Sequence, residues 1–205
     1  MYVPDKFSTD ERAAWRIVRD AGAGMLVGST STGLASVFVP VLVLDEGRTL
    51  VAHVARANPW WRDVRRDSEV LGLFLAASAY VSPSLYPSRF DEPGVVPTWN
   101  YVATEVRGLL KVHDDPAWLD EQVRSLTDQF EDGRSPRWRV EDAPPPYLAR
   151  QLRAIVGIEI EVTSVEGKSK LSQNRPTIDR DHVRDEMIAG TLAERNVAQR
   201  MEPRG

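Results

Sequence analysis

The chain has 205 residues, a length that fits one domain and allows a buried hydrophobic core. Its hydrophobic fraction of 42% and charged fraction of 27% are typical of a globular protein, and no apolar run is long enough to span a membrane. The absence of cysteine excludes disulfides, thiolate zinc sites, iron–sulfur clusters and a cysteine nucleophile. The net charge of −4 provides no overall attraction for phosphates, which argues against direct DNA binding. Residues 1–5 lack the layout of a signal peptide, so we expect a cytoplasmic protein.

The first part of the chain predicts one helix followed by several strands. Ser8 and Glu11 fit a capping box, and the helix that they open is expected to end at Gly22. Strands are predicted over residues 25–30, 34–44 and 49–54. Pro40 indicates that the second of these is an edge or bulged strand. Because short turns join the three strands, we expect an antiparallel meander.

The next segment predicts a short helix, two strands and a long loop. Asn58 has the form of an N-cap and Pro59 that of a first helical residue, so a helix is expected over residues 60–66. The strands that follow are predicted over residues 70–75 and 79–82. The loop over residues 83–97 is long and contains several prolines and serines, which is typical of functional loops.

A long strand is predicted over residues 98–112, and its first four residues are unusually polar and bulky. They are Thr98, Trp99, Asn100 and Tyr101. Alternation along the strand sends a hydroxyl, an indole N–H, an amide and a phenol to both faces of the sheet. Side chains of this kind are suited to one wall of a flat pocket. The alternative is an ordinary strand entry with half-buried aromatic residues.

The last part of the chain predicts helices around one further strand. Asp115 and Pro116 open a helix that ends near Gly133. Its apolar stripe is most simply explained by core packing, and consists of Leu119, Val123, Leu126 and Phe130. A helical segment, a strand and two final helices are predicted over residues 147–152, 154–165, 178–189 and 192–201.

Short strands in hairpins with helices outside them predict an α+β, mainly β, fold. The expected architecture is a small closed or partly closed antiparallel barrel. The sequence has no βαβ alternation, no GxGxxG and no GxxxxGK[ST], which excludes dinucleotide-binding and P-loop folds. We predict one barrel domain over residues 1–190, followed by a helical tail over residues 191–205.

The motif over residues 53–61 predicts an anion site, because a strand end there runs into the start of a helix. Free backbone N–H groups at a helix N-terminus, with the cation of Arg56 beside them, suit a phosphate monoester. The alternative for Arg56 is an ordinary solvated surface cation.

A second donor-rich segment covers residues 166–175. Its cations and amides are Lys168, Lys170, Gln173, Asn174 and Arg175. Because this segment follows a well-patterned strand, its donors are expected to project from a fixed point after Glu166. If they converge with Arg56, a phosphorylated or carboxylated ligand is the natural partner; the alternative is a solvated loop.

The three histidines, His53, His113 and His182, have no spacing typical of a zinc site. A lone axial ligand to haem is compatible with the sequence, and His53 is the first candidate for it because of its motif. An ordinary structural role is the alternative for each histidine. No catalytic triad is recognisable, so we assign no catalytic residue.

Six separated segments, in order along nearly the whole chain, resemble the PaiB family of FMN-binding split-barrel proteins. They cover residues 1–4, 53–61, 79–84, 96–101, 154–157 and 170–175. The resemblance implies an antiparallel split β-barrel of the flavin-reductase or pyridoxamine-oxidase type, with peripheral helices. It also implies a homodimer with cofactor pockets at the interface, and the family label of negative transcriptional regulator.

FMN is the cofactor that this resemblance implies, and ten residues are carried over as candidate contacts. The candidates for phosphate or propionate groups are Arg56, Asn58, Lys168, Lys170 and Arg175. The candidates for the ring system are His53, Ser82, Trp99, Asn100 and Gln173.

The chain departs from the family pattern at several positions, which predicts a remodelled and partly more apolar pocket. These positions are Val37, Phe38, Val39, Leu75, Ala76, Ala77, Leu85 and Ser169. Similar proteins include haem-dependent piperazate synthases, so the alternative cofactor is haem b, with His53 as the metal ligand. Three interpretations stay open: a flavin-dependent or haem-dependent enzyme, including an N–N bond-forming cyclase, and a flavin-binding sensor of a small metabolite that acts indirectly.

Overall fold

The computed structural model describes residues 1–65, 68–90 and 94–201. Within these residues the chain forms seven strands and six α-helices. The strands are β1 (Ala23–Thr30), β2 (Gly33–Pro40), β3 (Leu42–Leu44), β4 (Thr49–Ala55), β5 (Glu69–Val81), β6 (Thr98–His113) and β7 (Ile155–Lys170). The helices are α1 (Glu11–Ala21), α2 (Trp60–Asp63), α3 (Pro116–Glu131), α4 (Pro145–Arg153), α5 (Thr177–Ala189) and α6 (Leu192–Ala198).

All seven strands belong to one sheet with the order β2-β1-β5-β6-β7-β4-β3. β1 pairs with β2 and β5, and β4 pairs with β3 and β7, in each case antiparallel. The predicted α+β, mainly β, antiparallel fold is therefore confirmed.

The predicted meander of the first strands is wrong, because β2 and β3 lie at opposite ends of the strand order. Pro40 ends β2 and lacks the N–H group that a continued ladder needs. The next residue, Val41, donates its N–H to the carbonyl oxygen of Gly22 (2.9 Å), and the chain then enters β3 beside β4. The prediction of an edge strand at Pro40 is confirmed.

Two strands are longer than their patterns predict. β5 continues through residues 76–78, where a break was expected. β7 continues to Lys170, so the donor-rich segment begins as strand and not as loop. The N-terminal segment supplies backbone partners for this extension: Ser8 forms a bridge with Lys168, and the N–H of Thr9 donates to Gly167 (3.2 Å). This pairing comes from a distant segment and leaves no local signal.

Helix starts were predicted with varying success. The capping box at Ser8 is wrong, because α1 begins at Glu11 and the carboxylate of Asp10 accepts the N–H of Ala13 (2.6 Å). The predicted start at Asp115 is confirmed, since its carboxylate caps α3. α2 ends at Asp63. Residue 66 of the predicted helix, residues 91–93 of the predicted loop and residues 202–205 of the predicted tail lie outside the described residues.

The chain divides into two compact units. Unit 1 comprises Met1–Ala21, Phe74–Glu105 and Glu166–Gly205, and contains α1, α5 and α6. Its core joins apolar side chains from helices and strands, among them Ile17, Val81, Val102, Val183 and Val197. No helix in the described part of the chain has the length and apolar character needed to cross a membrane.

Unit 2 comprises Gly22–Leu73 and Val106–Val165, and contains β1 to β4 together with α2, α3 and α4. Its strands bury Leu26, Leu50 and Ile158 almost completely. The predicted packing stripe of α3 is confirmed at Leu119 and Leu126, which are buried, whereas Phe130 is 43% exposed.

Candidate functional site

In unit 1, the side chain of Lys170 lies against the start of β6. Its Nζ donates hydrogen bonds to Thr98 Oγ1 and to the carbonyl oxygen of Trp99, both at 2.6 Å. The contact arises because β7 extends to Lys170 and its neighbour in the sheet, β6, begins at Thr98. An ammonium group has three N–H donors, so one remains for a ligand.

Two further cations lie near Lys170. Burial lowers the pKa of Lys170 from its ordinary value, and the charges of Lys168 and Arg175 lower it further. Among the residues that the structure describes, none of these three cations forms an ion pair with a carboxylate. Lys168 instead donates to the carbonyl oxygen of Tyr2 (3.0 Å), and the guanidinium of Arg175 lies 4.5 Å from the centre of the Tyr86 ring. Three neighbouring like charges that form no ion pair among the described residues attract an anion.

An exposed aromatic pair lies at the same end of β6. Trp99 is 55% exposed and Tyr80 of β5 is 47% exposed, and their rings meet edge to face with centres 6.2 Å apart. Because the carbonyl oxygen of Trp99 is bonded to Lys170, the aromatic pair and the cations lie at the same end of β6. We refer to Lys168, Lys170 and Arg175 as the cationic cluster.

Two residues that were predicted to contact the ring system of the cofactor, Asn100 and Gln173, instead bond to the protein chain at this site. Asn100 is fully buried, and its amide nitrogen and oxygen lie 2.9 and 3.1 Å from the hydroxyl of Ser172. Gln173 accepts the N–H of Leu171 (2.6 Å) and donates to the carbonyl oxygen of Ser169. Both amides are therefore used to fix the turn after β7.

Ser82, another predicted ring contact in unit 1, caps a short helical turn. Its hydroxyl accepts the N–H of Ser84 (3.2 Å) and is 2.7 Å from the hydroxyl of that residue. The described part of the predicted loop thus contains ordered turns, Pro83–Leu85 and Pro87–Phe90.

His53 belongs to unit 2 and faces α3. Its Nδ1 is 2.9 Å from Oε1 of Gln122, a residue only 4% exposed. This bond leaves Nε2 as the ring nitrogen that is free for a ligand. In the described residues, no group of three or more histidine, aspartate or glutamate side chains is close enough together to hold a metal ion.

Arg56, also in unit 2, is held by protein groups. Its guanidinium forms a two-point ion pair with Asp114, and Nε and Nη2 donate to the carbonyl oxygens of Arg153 (2.8 Å) and Ile155 (2.9 Å). The bonds to Asp114 raise the pKa of Arg56 and lower that of Asp114. Only one of five guanidinium donors is left for an anion.

Asn58 caps the short helix α2. Its side-chain oxygen accepts the N–H of Trp60 (2.9 Å), so this N–H is not free for a phosphate. Of the ten predicted site residues, Arg56, Asn58 and His53 thus lie in unit 2, and the other seven lie in unit 1. Within unit 1 the structure brings Trp99, Lys168, Lys170 and Arg175 together.

Sequence reasoning missed a polar side of α3 in unit 2. Trp118, Gln122 and Ser125 recur at helical spacing and line a cleft of about 240 Å³. The helical spacing of these three residues indicates that they share one face of α3, but the apolar stripe on the same helix predicts only core packing.

Comparison with known proteins identifies the family. Residues 1–164 match the family model described as "Putative FMN-binding domain". Protease synthase and sporulation protein PAI 2 from Bacillus subtilis (strain 168) is 30% identical over 182 residues, which cover 87% of this chain and 85% of that protein. The uncharacterized protein YKL070W from Saccharomyces cerevisiae is 27% identical over 156 residues, which cover 65% of this chain and 92% of that protein.

Solved structures show the same fold at low identity. Flavocytochrome Anf3 from Azotobacter vinelandii has a TM-score of 0.61 and 12% identity, covering 80% of this chain and 69% of that chain. An FAD and heme binding protein from Mycobacterium smegmatis has a TM-score of 0.58 and 18% identity, covering 81% of this chain and 74% of that chain. The fold is therefore the antiparallel split barrel expected from the sequence. Because the family model spans residues 1–164 and a relative of 30% identity matches most of the chain, the protein belongs to the PaiB-type FMN-binding family.

Proposed function

We propose that this protein binds FMN through the cationic cluster of unit 1 and uses it to act on or sense a small metabolite. The observation that carries the proposal is the group of three cations that form no ion pair with a carboxylate among the described residues. Lys170 has one N–H donor left and Lys168 has two, which suits a phosphate monoester.

The residues of unit 1 fit both ends of FMN. Lys168, Lys170 and Arg175 match the charge of its phosphate, and the exposed rings of Trp99 and Tyr80 match its flat ring system. Bound FMN supplies electron or hydride transfer, and the chain supplies binding and orientation. Asn100 contributes by fixing the turn between Lys170 and Arg175 through its bonds to Ser172. Arg56 and Asn58 remain predicted contacts, although hydrogen bonds within the protein already use most of the guanidinium donors of Arg56 and the side-chain oxygen of Asn58.

A second candidate cofactor is haem b, with His53 as axial ligand. The bond between Nδ1 of His53 and Gln122 favours it, because such a bond orients an imidazole and leaves Nε2 to ligate. The two flavin- and haem-related structures of similar fold also support this alternative. On this proposal the protein is an enzyme, such as an N–N bond-forming cyclase.

A homodimer is part of the proposal, and unit 2 has a surface suited to it. Phe38, Met25 and Leu73 stand opposite one another on β2, β1 and β5, and they are 65%, 37% and 43% exposed. A row of exposed apolar side chains on a sheet is a typical surface for a second copy. We refer to these three residues as the apolar row.

On these grounds a redox protein or a sensor is a better description of this chain than a repressor that binds DNA directly. A negative net charge opposes DNA binding, and the cations of unit 1 are assigned to the cofactor. The family is also called a negative transcriptional regulator. In our proposal any such regulation is indirect and depends on the redox state of the cofactor or on whether the metabolite is bound.

The visible spectrum of protein purified without added cofactor tests these candidates. We expect a two-band flavin spectrum and FMN in the extract. The variant Lys170→Gln should weaken FMN binding about tenfold or more, because it loses one charge-assisted contact. The matched control Lys6→Gln removes an exposed lysine of unit 1 and should bind as the wild type. A sharp Soret band without flavin, or equal FMN binding by both variants, would contradict the FMN proposal.

A further inference from the structure

The cleft of about 240 Å³ in unit 2 is built between α3 and the β3–β4 hairpin. Gln129 of α3 donates to the carbonyl oxygen of Val41 (3.2 Å), just before the hairpin. At the other end of α3, Trp118 stacks on His113 with ring centres 4.2 Å apart. Trp118 also packs against Gly157, where a Cβ would lie 2.2 Å from the ring. Because α3 is held at both ends, the cleft is a fixed part of unit 2.

Carboxylates dominate the charge of the cleft. Asp45, Glu121 and Glu159 line it, and none of its lining residues is a cation. The charge of Glu159 is compensated, because its carboxylate oxygens lie 2.8 Å from Nε2 of His113 and 3.5 Å from Nζ of Lys111. In the described part of the chain, neither Asp45 nor Glu121 forms an ion pair. The cleft therefore has two uncompensated negative charges and attracts a cation.

A buried amide without a full set of partners also lines the cleft. Gln122 is 4% exposed, and its Nε2 has no hydrogen-bond partner among the described residues. Its other amide atom is bonded to His53. Turning the amide over would exchange the two atoms, so in either orientation one polar atom is left without a partner. A buried polar group of this kind destabilises the protein, and a ligand that bonds to it removes that cost.

The remaining wall of the cleft is apolar. Leu42, Leu44 and Val51 contribute it. An inorganic cation gains nothing from such a wall, whereas the alkyl stem of an organic cation is stabilised there. The volume is below the roughly 300–1,000 Å³ typical of pockets for drug-sized ligands, so the ligand is small.

We propose that this cleft binds a small primary alkylammonium ion. The ammonium group lies between Asp45 and Glu121, the stem lies along Leu42 and Leu44, and the free amide atom of Gln122 bonds to the ligand. None of the cleft's lining residues belongs to the cationic cluster, so the proposal is independent of FMN binding in unit 1.

Isothermal titration calorimetry of the full chain with three probes of matched stem length tests the ligand class. The probes are n-butylammonium chloride, sodium butyrate and n-butanol. We expect saturable binding of n-butylammonium, with butyrate and butanol at least about tenfold weaker because they lack the positive charge. Absence of saturable n-butylammonium binding, or equal binding of butyrate, would overturn the proposal.

Two sets of variants test the location. The double variant Asp45→Asn with Glu121→Gln should weaken n-butylammonium binding about tenfold or more, and its exposed positions leave the fold intact. The control Asp128→Asn removes a negative charge on the same helix outside the cleft and should bind as the wild type. Ser125→Leu, which fills the cleft, should abolish binding while the thermal midpoint stays close to that of the wild type. Unchanged binding in the double variant or in Ser125→Leu would refute the site.

Discussion

At the scale of single residues, the partners of a side chain decide whether it is available for function. Arg56 and Lys170 are both cations in motifs that resemble the family, but Arg56 is engaged by Asp114 and two carbonyl oxygens. Within the part of the chain that the structure describes, Lys170 bonds only to neutral oxygen atoms, and it lies near two other cations. The motifs predicted that both residues contact the cofactor. Only the neighbours in the structure distinguish a cation that is already paired within the protein from one that is available to an anion.

Lys170 predicts a pH dependence of FMN binding. Burial and neighbouring cations lower its pKa, so it loses its proton at a pH below the ordinary lysine value of 10.5. In the binding mode that we propose, the charged form of Lys170 holds the phosphate, so affinity should be highest at neutral pH and should fall as the pH rises through the lowered pKa. Fluorescence titration with FMN between about pH 7 and pH 10 measures this.

The control for this pH profile is Lys170→Arg. Arginine keeps its charge throughout this range, so the affinity of the variant should change much less with pH. Parallel pH profiles for the two proteins would show that Lys170 does not titrate against the bound phosphate.

At the scale of elements, local signals predicted helix starts better than strand lengths. Asp115 with Pro116 marked the start of α3 correctly, because a cap is a contact between residues close in sequence. The extension of β7 to Lys170 was missed because its partners, Ser8 and Thr9, are about 160 residues away in the chain. The polar segment was therefore predicted to be a loop although it is half strand.

The cap of α6 predicts a measurable contribution to stability. Thr191 Oγ1 accepts the N–H of Glu194 (3.3 Å), and the carboxylate of Glu194 accepts the N–H and hydroxyl of Thr191 (both 2.7 Å). Thr191→Ala should lower the free energy of unfolding by about 1 kcal/mol, because α6 carries Val197 and Ala198 into the core of unit 1. Urea denaturation measures this.

Thr177→Ala is the matched control for the cap, since Thr177 begins α5 and no side chain caps that helix. It should leave the unfolding free energy within about 0.5 kcal/mol of the wild type. The Thr191 bonds also lower the pKa of Glu194. Their stabilisation is thus present above the ordinary glutamate pKa and is lost as the pH falls through the lowered value. A loss in Thr191→Ala equal to that in the control would contradict the cap.

At the scale of the whole molecule, the strand order assembles the apolar row. β2, β1 and β5 are neighbours in the sheet although β1 and β5 are far apart in sequence, and their registers bring Phe38, Met25 and Leu73 into line. Each residue alone is an ordinary exposed apolar side chain. Together they form the surface that we propose for the second copy.

The apolar row predicts that a single charge disrupts the dimer. We expect the wild type to be a dimer in size-exclusion chromatography with light scattering, and Phe38→Glu to be a monomer, because the row would bury an unpaired carboxylate. Tyr147→Glu, at an exposed aromatic residue of α4, should remain a dimer. A monomeric wild type, or a dimeric Phe38→Glu, would argue against this interface.

The sequence by itself determined the fold class, most helix positions and the family, and it predicted the segments that carry the candidate site. These follow from periodicity, caps and motifs, which are local properties of the chain. Only the tertiary structure decided that β2 and β3 separate after Pro40 and that β7 reaches Lys170. It also decided that one amide atom of Gln122 has no hydrogen-bond partner among the residues described. These features depend on hydrogen bonds and packing between residues that are distant in sequence. A local sequence pattern carries no information on the energies of such interactions.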